Sequence, residues 1–513
     1  MRKTVKMQIL QLLNTLKEAH KEVQDYWQKQ DYEKVQELLA DCQEAAILIG
    51  NTIEQAEEEH NQIIQLLEKY VEQLYVISMR LEETTQDDIR GIKEDLDMRI
   101  SDVYKDVESK IKGILKVVFF PYKASMWTCL ESVWKAAEVD EECEAKVVAI
   151  PYCTLKSNGT VDEVKYEGEL FPEDVSITPY NEYHVEKEQP DMIFIHNPYD
   201  NRNTLTRVPE CYYSYNLKKY TTHLVYSPYG MIGYHNPDTG SFMCETNAAI
   251  FADKILVQSE RAKQIYMKQN IPEGRIMALG SPKVDAIVNK MKEEVSFPDG
   301  WREKLSGRKV FLLNTHLSYF LKGLDYQKKY NLEKSYAEVG HEMIFERLLN
   351  QENCALIWRP HPLLKTMLES RNAQEALRFV EDLEQRIKES NNAVLDEMGD
   401  YTISFRISDA LLTTYSSIIP EYMISGKPIY IYESRLNEEN CHNSPVDYTN
   451  NYYKAGKGEK PQFPEFVKMV LAGEDPLCEK RMADVNKAFS NLQGTIGQEI
   501  YESLKANIIS GNN

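Results

Sequence analysis

A stretch rich in hydroxyl groups, late in the chain, has the residue types of a phosphate-binding turn. The apolar, β-branched run 410–413 predicts a buried parallel strand, and Thr414, Ser416 and Ser417 follow it. A short helix then ends at Gly426. We expect Ser416 to cap that helix, where unpaired backbone N–H groups and the helix dipole favour an anion. An ordinary βαβ unit with a serine cap would show the same pattern.

A second stretch ends in arginine and histidine. The apolar run 355–358 predicts another buried strand, and Arg359-Pro-His361-Pro follows it. Arginine offers a planar fork of donors for phosphate, and histidine can donate a hydrogen bond or a proton. Because open α/β sheets bind ligands at the carboxyl ends of their strands, the two stretches together predict a nucleotide-diphosphate site. His361 could instead only fix its own turn.

A third strand, 309–314, opens the same half of the chain, and His316 lies just beyond its carboxyl end. His316 is therefore a secondary candidate for the same ligand-binding edge.

The two stretches resemble the CDP-glycerol glycerophosphotransferase family, the polymerases and primases of teichoic-acid-like polyol phosphates. The resemblance rests on Arg359-Pro-His-Pro362, on Ser408-Asp-Ala-Leu-Leu-Thr-Thr-Tyr-Ser-Ser417 and on Gly426-Lys-Pro428, and extends roughly over residues 114–505. It implies a GT-B fold, in which two Rossmann-like domains enclose the active site between them.

The resemblance also implies roles for individual residues. Arg359, His361, Ser416 and Ser417 would hold the pyrophosphate of the donor and stabilise the CMP leaving group. Thr414 stands where the family usually has aspartate, and we count it with the substrate-binding residues.

The general base is the other departure from the family pattern. The family's proposed base is the histidine of a Trp-His-Gly motif, and the nearest match here, Ser227-Pro-Tyr-Gly230, has Tyr229 at that position. A tyrosine is a poor base at neutral pH unless its pKa is depressed. His196, His235 and His316 are the possible substitutes. His196 is the best of them because it follows the apolar strand 192–195, although it could also serve only its own turn.

The first half of the α/β region has polar, turn-rich strand ends that could face an acceptor. Gly280 and Ser281 form one such tip and are candidates for substrate binding. Ordinary turn chemistry would explain them equally well.

The elements that position these residues fall into three predicted domains. Residues 1–112 lack proline, have glycine only at positions 50 and 91, and show helical spacing of apolar residues. They predict an all-α bundle or coiled coil that forms homo-oligomers. Apolar strands alternating with helices predict two Rossmann-like domains, an acceptor domain at 113–290 and a donor domain at 291–513, whose final helices cross back.

Composition narrows the class of protein. The chain has 513 residues and a net charge of −21, which argues against a nucleic-acid partner. Its nine cysteines are scattered, which fits a reducing cytoplasm. We read no signal peptide and no membrane-spanning run, and we expect no cofactor and no metal. Peripheral contact with the inner face of the plasma membrane stays open.

These patterns predict a cytoplasmic transferase that moves glycerophosphate, or a related polyol phosphate, from CDP-glycerol to a hydroxyl acceptor. Two alternatives stay open. One is a GT-B nucleotide-sugar glycosyltransferase or an enzyme like UDP-sugar 2-epimerase. The other is a non-catalytic interaction protein with a degenerate cleft.

Overall fold

A computed structural model describes residues 1–56, 61–156, 158–203, 205–233, 242–414, 416–432, 452–454 and 462–510. Four long helices come first: α1 (Lys3–Gln28), α2 (Tyr32–Ala56), α3 (Asn61–Ser78) and α4 (Gln86–Lys110). Their apolar faces pack on one another around buried residues such as Leu13, Leu39 and Leu74. The predicted helical module is confirmed, and its apolar faces find their partners within the module itself.

The first helix also contacts the first α/β domain. The backbone N–H of Lys3 donates to the carbonyl oxygen of Ile114 at 2.8 Å, and the Lys3 ammonium pairs with Glu142 at 2.9 Å. The side chain of Thr4 donates to the carboxylate of Asp191. The helical module is therefore joined to the base of the first sheet at several points.

The first domain is built on a six-stranded parallel sheet in the order β2-β1-β5-β7-β8-β9. Its strands are β1 (Leu115–Phe120), β2 (Cys143–Val147), β5 (Met192–Ile195), β7 (His223–Tyr226), β8 (Lys254–Leu256) and β9 (Ile276–Met277). A small antiparallel sheet comprises β3 (Tyr152–Leu155), β4 (Val161–Lys165) and β6 (Thr206–Arg207). The helices are α5 (Glu131–Glu138), α6 (Val185–Glu188), α7 (Ser214–Leu217), α8 (Asn247–Phe251), α9 (Glu260–Lys268) and α10 (Pro282–Lys292).

The second domain repeats this plan with the strand order β12-β11-β10-β13-β14-β15. Its strands are β10 (Lys309–Thr315), β11 (Cys354–Pro360), β12 (Ala393–Leu395), β13 (Ala410–Thr413), β14 (Ile429–Ile431) and β15 (Tyr453–Lys454). Its helices are α11 (Trp301–Leu305), α12 (Leu317–Tyr330), α13 (Tyr336–Leu349), α14 (Leu364–Ser370), α15 (Gln374–Glu389), α16 (Thr402–Ile407), α17 (Ile418–Met423), α18 (Phe463–Leu471) and α19 (Cys478–Ala488). All four side chains of β13 and five of seven in each of β10 and β11 are buried, as expected for central parallel strands.

The last helix, α20 (Ile496–Ser510), returns to the first domain and packs on α5 and α10. The carboxylate of Asp285 accepts hydrogen bonds from the backbone N–H groups of Ile496, at 3.1 Å, and Gly497, at 2.8 Å. A Cβ atom on Gly497 would lie 2.2 Å from the carbonyl carbon of Ser132. Glycine is therefore required where α20 crosses α5.

Candidate functional site

The two predicted clusters lie at one edge of the second sheet. Strand β10 pairs with β11 on one side and with β13 on the other, and Asn314 is in register with both Arg359 and Thr413. His316 and His361 follow their strands directly. The three strand ends bring polar side chains together from positions about a hundred residues apart in sequence.

The two histidines at these strand ends are arranged as hydrogen-bond donors. Their rings are 6.0 Å apart, edge to face. The Nδ1 atom of His316 accepts from the backbone N–H of Ser318 at 3.1 Å, and that of His361 accepts from Leu363 at 3.2 Å. In the neutral form of each ring the proton is therefore on Nε2. Burial, with the nearby His316, lowers the pKa of His361, so its ring is neutral at pH 7.

Hydroxyl and amide groups complete this edge. Thr414 accepts a hydrogen bond from the backbone N–H of His316 at 3.0 Å. Ser416 donates to the amide oxygen of Asn314 at 3.4 Å, and the amide nitrogen of Asn314 donates to the carbonyl oxygen of Arg359 at 3.1 Å. These bonds tie the carboxyl ends of β10, β11 and β13 to one another.

The helix after β13 begins one residue later than the sequence suggested. Ser417, and not Ser416, is the residue before α17, and its side chain makes no capping hydrogen bond. Ser416 Oγ accepts from the N–H of Ile418, two residues on, at 3.4 Å, so the predicted cap residue still bonds to a backbone N–H at the start of the helix. Ser417 is exposed, and Tyr415 lies outside the described residues.

Arg359 is held by a buried carboxylate. Its Nη1 atom lies 2.9 Å from Asp396, whose side chain is fully buried, and its guanidinium lies 5.7 Å from the ring centre of Tyr401. Asp396 also accepts from the N–H of Met398 and the hydroxyl of Ser404. Part of the arginine fork is therefore used within the domain, and the remainder is oriented by these contacts.

A buried ion pair joins the two domains beside this edge. The ammonium of Lys283, on α10, lies 2.6 Å from Glu421, on α17, and donates to the carbonyl oxygen of Tyr229 at 3.3 Å. The two side chains are 15% and 5% exposed. Burial alone would lower the pKa of Lys283, but Glu421 and Tyr401 raise it above its usual value. The lysine is therefore charged at neutral pH.

The candidates from the first domain lie in less accessible positions. His196 is fully buried, its ring stacks on Tyr122, and its Nε2 accepts from the backbone N–H of Tyr122 at 3.2 Å. Burial, with a smaller effect of Lys123, lowers the pKa of His196 to about 3. A buried, neutral ring that bonds to the backbone stabilises the strand ends. This geometry disfavours His196 as the general base.

Tyr229 is also poorly suited to proton abstraction. Its hydroxyl lies 3.0 Å from that of Tyr199. Burial and the neighbouring Tyr199 raise the pKa of Tyr229 above its usual value. His235 lies outside the described residues.

Gly280 and Ser281 form a packed turn in front of α10. Gly280 has φ of 128°, and a Cβ there would lie 2.8 Å from Ile496. Ser281 is 7% exposed and precedes the first residue of α10. Their position against α20 gives them a structural role in the domain, and substrate binding by either stays a prediction.

Four residues of this region were missed by sequence reasoning: Lys283, Asp396, Tyr401 and Glu421. Lys283 follows the Gly-Ser-Pro turn and Glu421 follows Pro420. The signal that could have identified Lys283 and Glu421 is a charged residue in the first turn of a helix that follows a strand end.

A cavity of about 500 Å³ lies in the cleft between the domains. Its walls come from the 3₁₀ helix Ala124–Cys129, from the start of α5, from α10 and from residues 399–402. Within the described ranges, no group of three or more His, Cys, Asp or Glu side chains could hold a metal ion, and the expectation of a metal-free reaction stays a prediction. Of the described helices, none is both long and apolar enough to cross a membrane.

Two parallel α/β domains that face each other across a cleft, with the last helix returned to the first domain, define the GT-B class of fold. The predicted fold class is thereby confirmed. Residues 244–450 match the sequence model of the family described as CDP-glycerol:poly(glycerophosphate) glycerophosphotransferase. The range contains all three motifs that carried the resemblance, and the resemblance to this family is confirmed there. The matched range, 244–450, is narrower than the range of roughly 114–505 over which the sequence suggested the resemblance.

Several solved structures are similar to the chain. The wall teichoic acid polymerase TagF is 13% identical, with a TM-score of 0.46, and the similarity covers 88% of this chain and 98% of that one. The UDP-GlcNAc 2-epimerase of Methanocaldococcus jannaschii is 14% identical, with a TM-score of 0.43, over 76% of this chain and 100% of the other. MnaA of S. aureus, solved with UDP, is 12% identical, with a TM-score of 0.46, over 77% and 98% of the two chains. No curated protein matches the chain.

Proposed function

We propose that the chain is a transferase that moves glycerophosphate, or a related polyol phosphate, from CDP-glycerol to a hydroxyl acceptor and releases CMP. The observation that carries this proposal is the convergence of His316, His361, Thr414 and Ser416 at three adjacent strand ends. All four lie within the range that matches the glycerophosphotransferase family. The same match supports a place in the synthesis of teichoic-acid-like polymers.

The arrangement suits a pyrophosphate because it offers several hydrogen-bond donors at one edge. In their neutral forms His316 and His361 carry the ring proton on Nε2, and Ser417 is exposed. The guanidinium of Arg359 is paired with Asp396 and oriented by it, and its remaining N–H groups can donate to phosphate. Phosphoryl transfer needs mainly positioning and neutralisation of charge, and these groups can supply both to the leaving CMP.

His316 and His361, with the ring proton on Nε2, cannot serve as the general base that deprotonates the acceptor hydroxyl. His316 and His361 present N–H groups, which donate to phosphate and cannot take a proton. The two histidines therefore belong with the leaving group, and we propose that His361 acts on the donor side of the reaction.

Calorimetric titration with CDP-glycerol tests the donor site. The wild-type chain should bind CDP-glycerol more tightly than UDP-N-acetylglucosamine. Hydrogen bonds to charged groups contribute about 1.5–3 kcal/mol, so His361→Ala should weaken CDP-glycerol binding by about 10-fold to 150-fold. His184→Ala is the matched control, because His184 is an exposed histidine of the first domain. Preferential binding of UDP-sugars, or an undiminished affinity in His361→Ala, would refute the assignment.

We further propose that the chain works in the cytoplasm, in peripheral contact with the inner face of the plasma membrane, and that it self-associates through the helical module. Exposed apolar side chains on α2 and α3, among them Leu48, Tyr75 and Val76, support self-association. Light scattering of the full chain checks it, since a monomer at all concentrations would exclude this contact. Sedimentation with vesicles that contain phosphatidylglycerol checks membrane contact, and a chain that stays in the supernatant would exclude it.

A further inference from the structure

The cleft cavity lies next to the donor edge but is lined by different residues. Tyr401 and Lys283 form part of its wall. Arg359 contacts the ring of Tyr401, and Lys283 bonds to Glu421 of α17. The wall of the cavity is therefore in contact with the pyrophosphate edge through Tyr401, and with α17 through Lys283. At about 500 Å³, the cavity is within the size range of small-molecule sites.

The charges that line the cavity disfavour an anionic ligand. Both ammonium groups among the described lining residues are already bonded to carboxylates, Lys283 to Glu421 and Lys290 to Asp400. Two further carboxylates, those of Glu131 and Glu167, line the cavity. A phosphate would have to displace an existing ion pair and would lie close to these carboxylates.

The same carboxylates can accept hydrogen bonds from hydroxyl groups. Glu167 accepts from the hydroxyl of Tyr152 at 2.6 Å and from the N–H of Ala124 at 2.9 Å, and Glu131 accepts from Lys135 at 2.7 Å. A carboxylate has about four acceptor positions, so each retains capacity for a ligand. The bonds already present hold both groups in fixed positions.

Hydroxyl and apolar groups complete the lining. Ser125 and Thr128 lie on the same wall and can both donate and accept. Trp127, Leu170 and Ile287 provide apolar surface. Acceptor carboxylates, hydroxyls and apolar surface together match a sugar ring or polyol, which has hydroxyl groups on its edge and C–H groups on its faces.

We propose that this cavity binds an uncharged, polyhydroxylated unit of the acceptor, a sugar or a polyol without phosphate. The assignment to the acceptor rests on the proposed transferase function. It divides the cleft into two chemically different parts. The strand ends of the second domain take the charged pyrophosphate, and the cavity takes the neutral unit.

Ligand titration on the complete chain tests this assignment without turnover. The probes are methyl hexopyranosides and glycerol as neutral ligands, glycerol 3-phosphate as the charged ligand, and CDP-glycerol as the donor. Ala286→Trp fills the cavity from α10, and Ala472→Trp is the matched control because Ala472 is exposed in the second domain. We expect at least a tenfold loss of affinity for the neutral ligands in Ala286→Trp, with unchanged affinity for CDP-glycerol.

A second, isosteric pair of variants guards against misfolding of Ala286→Trp. Glu131→Gln should weaken binding of the neutral ligands several-fold, whereas Glu138→Gln, on an exposed position of the same helix and outside the cavity, should not. Neutral ligands that fail to bind the wild-type chain, or that bind both sets of variants normally, overturn the inference. So does tighter binding of glycerol 3-phosphate that is lost in Ala286→Trp. If the neutral ligands bind as expected and CDP-glycerol does not, the proposed transferase function fails and the assignment to the acceptor fails with it.

Discussion

The pair formed by Lys283 and Glu421 gives a quantitative test of the contact between the domains. Lys283→Met removes the ammonium and leaves a carboxylate that is 5% exposed without its partner. Loss of one member of a buried ion pair costs about 3–5 kcal/mol, because the remaining charge stays desolvated. Glu421 is almost fully buried, so we expect a value in this range. The double variant Lys283→Met, Glu421→Leu removes both charges and should recover more than half of the loss.

The control for the buried pair is a surface ion pair of similar geometry. Lys334 and Glu342 are 2.7 Å apart but are 49% and 35% exposed, so Lys334→Met should cost less than about 1 kcal/mol. The measurement is urea unfolding at pH 7, followed by tryptophan fluorescence, for all three variants and the wild type. Equal costs for Lys283→Met and Lys334→Met, or a double variant no more stable than Lys283→Met, would refute the account of the buried pair.

Other changes test the site, the buried histidine and the returning helix. His361→Ala should lower turnover of CDP-glycerol by about 100-fold to 1000-fold, with little change in the urea midpoint; equal loss in His184→Ala would contradict the donor role. The pKa of about 3 for buried His196 means that the unfolded state takes up the proton first, so stability present above pH 6.5 is lost as pH falls toward 3. From pH 6.5 to 5 this loss is about 2 kcal/mol, and the stability gap between wild type and His196→Gln should narrow by that amount; a constant gap would contradict it. Gly497→Ala should destabilise the fold by about 1–3 kcal/mol, whereas Gly91→Ala, on open helix surface, should stabilise it by about 0.5–1 kcal/mol; similar unfolding midpoints for both would contradict the close crossing of α20 and α5.

Local patterns were sufficient to predict the donor edge. The apolar runs before Arg359 and Thr414 are short and continuous, which is typical of buried parallel strands. Parallel strands place their carboxyl ends at one edge, so polar residues after such runs can be grouped without knowing the strand order. The position of the helix cap did not follow from the sequence, because Ser416 and Ser417 are equally good cap residues and the backbone geometry decides which of them precedes the helix.

Contacts between distant segments could not be predicted in this way. His196 follows a strand, as expected, but its environment is set by Tyr122, 74 residues earlier, which covers the ring. Lys283 and Glu421 are 138 residues apart and become partners only when α10 and α17 meet across the cleft. The cavity depends on the same meeting of domains. The burial of His196 and the pairing of Lys283 with Glu421 depend on tertiary packing, which cannot be read from the sequence of one segment alone.

The most direct test of the central claim is a transfer assay that follows both products. The wild-type chain is incubated with CDP-glycerol and a methyl hexopyranoside, and the two products, CMP and the phosphodiester of glycerol with the methyl hexopyranoside, are separated by chromatography and identified by mass. We predict that the two products form in equal amounts and that UDP-N-acetylglucosamine supports no transfer. Turnover of UDP-N-acetylglucosamine without release of CMP from CDP-glycerol would contradict the assignment of the donor, and the absence of turnover with either would contradict catalysis by this cleft.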